Sequence, residues 1–289
     1  MEPIAWHVTM RLERDQVFAP TPEARRAVAR VVYWQCRQLP LLGFACVDTH
    51  LHLLLATARA ESGRVARRIA LALGHKLPLA SSFDRSRHRP VSSVWHLRST
   101  LEYVLMQGRR HGLEWEAYFE ASSLPELLGM RPMGAHIITD VSQHLPRLRR
   151  SDVLDWTGWH GLVPVDGPSE WLVEAALRAS ALPSLFGGGR EAFAARRTVA
   201  VLLESGQSGQ TGQSGQDIPS KVKASLLGVP ERTWFRLARG SADPALASAI
   251  RMQLGWMALI SGSAAGNQAP EARSPSTQAA LPVKVPPNK

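Results

Sequence analysis

Cysteine is scarce in this chain, with only Cys36 and Cys46 among 289 residues. That excludes a disulfide framework. One lies in a predicted helix and the other in a predicted strand, without zinc-ligand spacing, so both read as small buried hydrophobes. There is no His-Glu-x-x-His and no Cys-x-x-Cys, and Gly187-Gly188-Gly189 lacks the spacing of a phosphate-binding loop, which sets aside zinc-protease and nucleotide-binding readings. No apolar run approaches the ~18 residues a membrane span needs. The opening MEPIAWHVTM lacks the basic-then-apolar pattern of a secretory signal, so a cytoplasmic protein without membrane contact is expected. Acidic residues are outnumbered, 24 against 34 basic, for a formal charge of +10.

That excess favours a polyanionic partner such as nucleic acid. Arginine dominates it, in pairs such as Arg25-Arg26, Arg67-Arg68 and Arg109-Arg110. A guanidinium fork suits phosphate, although solvated arginine faces account for such pairs equally well. With 45% hydrophobic residues the chain is long enough to bury a sizeable core.

Along the chain, Ile4 to Leu12 is strand-like, and Thr21-Pro22-Glu23 opens a helix running to about Leu39. Gly43 to Val47 and His50 to Thr57 read as a hairpin turned at Asp48-Thr49. A helical stretch follows from about Val65. Ser81 to Trp95 reads as an extended piece containing Pro90, and a helix runs from about Leu97 to His111. The pattern predicts an α+β fold, an antiparallel sheet with helices on one face. Beyond it, helical patches at Glu120 to Leu128, Ile137 to Leu148, Trp171 to Leu182 and Glu191 to Leu203 predict an all-helical C-terminal region. Ser205 to Gln216 reads SGQSGQTGQSGQ, the composition of a flexible linker.

The chemistry-bearing segment is His50-Leu51-His52. On a strand, residues two apart share a face, so both imidazoles can reach one metal ion. By itself this spacing is a weak signal. Glu102-Tyr103-Val104-Leu105-Met106-Gln107 adds a second element, because Tyr103 and Gln107 stand one helical turn apart. Two imidazoles and an amide oxygen make a neutral set that leaves coordination sites for phosphate oxygens and suits Mg²⁺ or Mn²⁺. Such an ion polarises a phosphate as a Lewis acid. A tyrosine hydroxyl, with an ordinary pKa near ~10, needs a neighbouring cation to act as a nucleophile at neutral pH.

Trp6-His7-Val8-Thr9-Met10-Arg11, Asp48-Thr49-His50-Leu51-His52-Leu53-Leu54, and Tyr103 with Gln107, in this order, resemble the REP-associated tyrosine transposases of the single-tyrosine HUH superfamily. The resemblance covers roughly residues 4–115. It implies a ferredoxin-like sheet, metal binding by His50, His52 and Gln107, and attack by Tyr103 to give a 5′-phosphotyrosine. It also implies a single-stranded DNA substrate with a short hairpin of the repetitive extragenic palindrome kind; a monomer or homodimer, associated with the nucleoid, is expected. His7 and Arg11 match the opening strand; a DNA or active-site contact and a structural role both stay open for them, the structural one ranked first. Thr49 stands where relatives usually carry Asn, and Gly108 where they often carry Pro.

On this reading residues 1–116 form the catalytic domain, 117–204 a helical region and 205–217 the linker. Residues 218–261 form a helix-turn-helix-like segment and 262–289 a disordered tail. Ser220 to Arg236 reads as two helices joined at Leu227-Gly228-Val229, which would present Glu231, Arg232, Thr233 and Arg236 to DNA. A plain helical hairpin with Trp234 and Phe235 in its core is the other reading. A domesticated regulator that binds DNA without cutting it is the chief alternative to a transposase. An RNA-binding sheet ranks last, since the first strands carry few aromatics beyond Trp6 and Phe44.

Overall fold

The computed structural model describes residues 2–14, 16–113, 115–205 and 218–265. The chain begins with β1 (Ala5–Arg11), α1 (Pro22–Cys36), β2 (Leu41–Val47), β3 (His50–Leu55), α2 (Arg59–Lys76) and β4 (Arg87–Val91). The four strands form one antiparallel sheet in the order β2-β3-β1-β4. This element order and strand order make the ferredoxin-like βαββαβ arrangement.

Local chemistry explains the boundaries. Thr21 caps α1 by accepting from the Ala24 amide, with Pro22 in the first turn, a position where its missing N–H costs nothing. The β2-β3 turn places Asp48 at φ 38°, a left-handed conformation that aspartate tolerates better than most residues.

Strand alternation then divides the side chains between two faces. Val8, Met10, Phe44, Cys46, Leu51, Leu53 and Leu55 pack under α1 and α2 in one core. Ala5, Leu42, Leu54 and Val91 face the other way, where α3 (Val94–Leu105) covers them with Leu97, Leu101 and Leu105. Helices on one face thus describes α1 and α2; α3 lies across the opposite face, where its apolar stripe meets those four strand residues. Between Ser81 and Trp95 only Arg87 to Val91 is a strand, and Ser93 already caps α3 through the His96 amide. The β2 edge is closed by Ser123, which exchanges hydrogen bonds with Phe44. The β4 edge carries Pro90 and arginines, a way of blunting an open edge.

Helices account for the rest: α4 (Gln107–Arg110), α5 (Trp115–Tyr118), a 3₁₀ turn at Phe119–Ala121, α6 (Leu124–Leu127), α7 (His136–His144), α8 (Arg150–Thr157), α9 (Ser169–Ser180) and α10 (Arg190–Ser205) precede α11 (Ser220–Leu226), α12 (Glu231–Ala238) and α13 (Pro244–Ala265). The cores do not stop at residue 116. Phe119, Leu124, Met130 and Val141 pack with α3 against the sheet, and so do Met252 and Trp256 of α13. Leu246, Ile250 and Leu254 of that same helix pack with α9 and α10 in a third core. Past Ser205 the expected linker lies outside the described residues, as does the expected tail beyond Ala265. Residues 262–265, expected in that tail, continue α13 instead, since a helix anchored by Leu259 and Ile260 propagates cheaply. Among the described residues no helix is long and apolar enough to cross a membrane.

Candidate active site

The face of the sheet that α3 covers carries a grid of polar residues. Arg11 pairs with His50, Thr9 with His52 and Arg87, and His7 with Leu54 and Arg89. His7 and His52 are therefore diagonal neighbours on adjacent strands, within reach of ring side chains. Their rings stack at 5.1 Å between centroids, and His7 Nε2 lies 2.8 Å from His52 Nδ1. His50 stands edge-on to His52 at 4.6 Å, as the i, i+2 spacing requires.

Tyr103 comes to this grid from α3. Gly43 of β2 permits the approach, because a Cβ there would lie 2.6 Å from Leu101 Cδ1, two residues before the tyrosine. The Tyr103 ring meets His7 at 5.8 Å and His52 at 5.9 Å, both edge-on, and remains 37% exposed. Arg110 lies over it, with its guanidinium carbon 5.0 Å from the ring centroid.

The expected continuous helix to His111 breaks at Met106, with φ −94° and ψ 14°, and resumes as the single turn of α4. Gln107 folds back, and its amide nitrogen donates to the Tyr103 carbonyl at 2.9 Å. The side chain is buried, with its amide oxygen as the end left for a ligand role. The ring this turn brings to the pair is His111, 5.5 Å from His50.

Burial and like charge keep the histidines neutral. Burial first, then Arg89, holds His7 at about 4. Burial, then His50 and His7, takes His52 down to about 2, and burial with His111 lowers His50. His52 Nε2 is buried without a hydrogen-bond partner. If Nδ1 carries the proton and donates to His7 Nε2, then Nε2 presents a lone pair, the tautomer a metal ligand needs. Among the described residues no three His, Cys, Asp or Glu side chains are grouped to hold a metal ion. His50 and His52, with the Gln107 amide oxygen beside them, are the side chains whose donor atoms suit a divalent ion.

The other expected contacts fall in two places. Arg11 joins the site on the His50 side. On α12, Arg232 and Arg236 are exposed and Thr233 is half-buried, far along the chain from the histidines. Phe235, expected in the core, is 46% exposed, since Trp234 and Leu237 occupy the inward stripe of that helix. Gly228 turns the chain before it at φ 59°, with the Phe186 ring where a side chain would stand. Of the arginine pairs, Arg25 and Arg26 are buried and structural, not phosphate contacts: Arg25 donates to the Ala19 and Pro20 carbonyls and Arg26 pairs with Glu120. Sequence reasoning missed Arg89 and His111, and named Arg110 in a basic pair without tying it to Tyr103. The spacing of Arg110, seven residues after Tyr103 and so on its helical face, was the available signal.

No family model and no curated protein matches the chain. A solved structure, a REP-associated tyrosine transposase bound to a REP hairpin, is similar at 15% identity and a TM-score of 0.33 over 39% of this chain and 70% of the other.

Proposed function

We propose that this chain is a metal-dependent DNA strand transferase that cuts and rejoins single-stranded DNA at a hairpin of the REP kind through Tyr103. The observation that carries the reading is the placement of the Tyr103 ring against His52 and His7, beside a buried His52 Nε2 that has no protein partner. A buried, neutral, unpartnered imidazole nitrogen is costly unless something binds it. His50 and His52, with the Gln107 amide, would hold Mg²⁺ or Mn²⁺; the two imidazoles lean the choice toward Mn²⁺. When bound, the ion supplies Lewis-acid polarisation of the scissile phosphate.

The chain's own residues do the rest. His7 orients His52 through the ring-to-ring hydrogen bond, the outer-shell role that fixes a ligand's tautomer. Gln107 pins the end of α3 by its bond to the Tyr103 carbonyl, and so holds the nucleophile's backbone. Arg110 and Arg89 place positive charge where a phosphate must approach the phenol. Attack forms the Tyr103 Oη–phosphorus bond and breaks the P–O3′ bond. The phenolic proton passes to solvent and the departing O3′ takes one from it. The phosphodiester is conserved in the protein linkage, so rejoining needs no ATP.

A second reading is favoured by one observation, the exposed Arg232, Phe235 and Arg236 on α12: a regulator that grips DNA there without cutting it. The test separates the two. Wild type and Tyr103→Phe are incubated with Mg²⁺ or Mn²⁺ and labelled hairpin DNA from the flanks of the protein's own gene. A covalent adduct on denaturing gels from wild type alone, lost with chelator, is expected. Binding without any adduct sinks the transferase in favour of the regulator.

A further inference from the structure

Two clefts open on the α3 side of the sheet, one on each side of the histidine pair. The first, about 470 Å³, is lined by His7, Arg89, His96, Ser99 and Tyr103. The second, about 620 Å³, is lined by Thr9, Arg11, His50, Arg85, Ser86 and Arg87, with Asp84 as its acidic group among the described residues. Both volumes suit a nucleotide-sized ligand. Their walls follow from the grid: His7 and Arg89 sit in one cross-strand row, Thr9 and Arg87 in the next, and Arg11 with His50 in the last. The Thr9 and His52 pair stands on β1 and β3 between them.

We propose that the Arg11, Arg85 and Arg87 cleft is the binding subsite for the DNA segment on the 5′ side of the cleaved bond, the segment released with a free 3′-hydroxyl. The Tyr103 and Arg89 cleft then receives the nucleotide that becomes joined to the protein. This rests on the transferase reading above. Displacement at phosphorus places attacking and leaving oxygens in line on opposite sides of the phosphorus. The attacking oxygen belongs to Tyr103, which lines one cleft only. With the phosphate beside His50 and His52, the leaving O3′ points away from Tyr103, toward His50 and Arg11. The cleft waiting there is lined by Arg11, Arg85 and Arg87, and guanidinium groups suit the phosphodiester backbone of the segment left after the bond is cut. Retention matters because the reverse attack that reseals a strand needs that 3′-hydroxyl still in place.

The inference predicts a directional fault. Arg85 and Arg87 are exposed and can be removed without opening the core. The full chain carrying Arg85→Ala with Arg87→Ala, and separately Arg85→Glu, would be assayed for adduct formation with Mn²⁺ on the hairpin oligonucleotide, with its 5′ arm trimmed stepwise to a single nucleotide. On long 5′ arms the variants should be slower than wild type by on the order of tenfold, the loss of one or two charged hydrogen bonds to phosphate. The gap should close as the arm shortens. Arg89→Ala should show the reverse pattern, its deficit depending on the 3′ arm. Wild-type rates in the variants, equal losses at every arm length, or a 5′-arm dependence appearing in Arg89→Ala instead would each overturn the subsite assignment while leaving the transferase intact. No adduct from wild type on any arm would remove the transferase reading and the subsite together.

Discussion

His7 is the residue whose part changed most between sequence and structure. Its parity was legible, since His7, Thr9 and Arg11 alternate with apolar Val8 and Met10. What a single strand could not give was the register of β1 against β3, which sets His7 diagonal to His52 and lets their nitrogens meet at 2.8 Å. Both rings are buried, and this has a measurable consequence in metal-free protein. The unfolded chain takes up protons on these two groups as pH falls through their ordinary 6.5, whereas the folded protein refuses them until about 4 for His7 and about 2 for His52. Stability is therefore full above 6.5 and is lost as pH falls toward the folded values, at up to about 1.4 kcal/mol per pH unit for each ring. Thermal melts in chelator from roughly pH 7 to pH 5 should show a shallower decline for a His7→Gln, His52→Gln double variant than for wild type. Parallel declines would mean the rings are not held neutral.

The position of α3 is where an element carries the function. Its existence and its tyrosine were readable from helical spacing, as were the hairpin and the histidine pair. The break at Met106 was not, because 3.6-residue periodicity is blind to a one-residue kink that returns to helix at once. Gln107 consequently bonds to the tyrosine's own backbone rather than simply standing one turn along the same face. Nor did the spacing show how closely α3 lies on β2, which depends on Gly43 meeting a fully buried Leu101. Gly43→Ala should crowd Leu101, cost about 1–3 kcal/mol as overpacking does, and slow adduct formation by lifting Tyr103 from the histidines. Pairing it with Leu101→Ala should recover part of the adduct rate even though Leu101→Ala alone removes core volume, a non-additivity expected of touching residues. Urea midpoints and adduct rates on the four proteins decide it. Strictly additive losses would show that Gly43 does not set the height of α3.

Across the whole molecule, the division expected at residue 116 was drawn where strand signals fade, a compositional boundary that burial does not respect. The reason is a pair of long-range devices that periodicity cannot display. One is α13, whose Met252 and Trp256 enter the core above the sheet while Leu246, Ile250 and Leu254 enter the helical one; Gln253 also donates to the Met130 carbonyl at 3.0 Å. The other is an ion cluster in which Arg26 of α1 bonds to Glu120 at 2.7 Å and Glu174 of α9 at 2.6 Å, while Arg178 of α9 meets the same two carboxylates at 2.9 and 2.8 Å. Arg26 and Glu120 are each 2% exposed, so removing Glu120 leaves Arg26 and Arg178 sharing the Glu174 carboxylate alone, a loss bounded by the about 3–5 kcal/mol that unpairing a buried charge costs. Glu120→Ala should lower the unfolding free energy by up to that amount, read as a lower urea midpoint at an unchanged slope. Because the cluster joins the layer of α1 to α9, the loss should appear as a single transition, with helix circular dichroism and tryptophan fluorescence moving together. If the helical part instead melted first and left the sheet and its histidines folded, the two halves would be independent units, and the arginines of α12 would have to be understood apart from the chemistry at Tyr103.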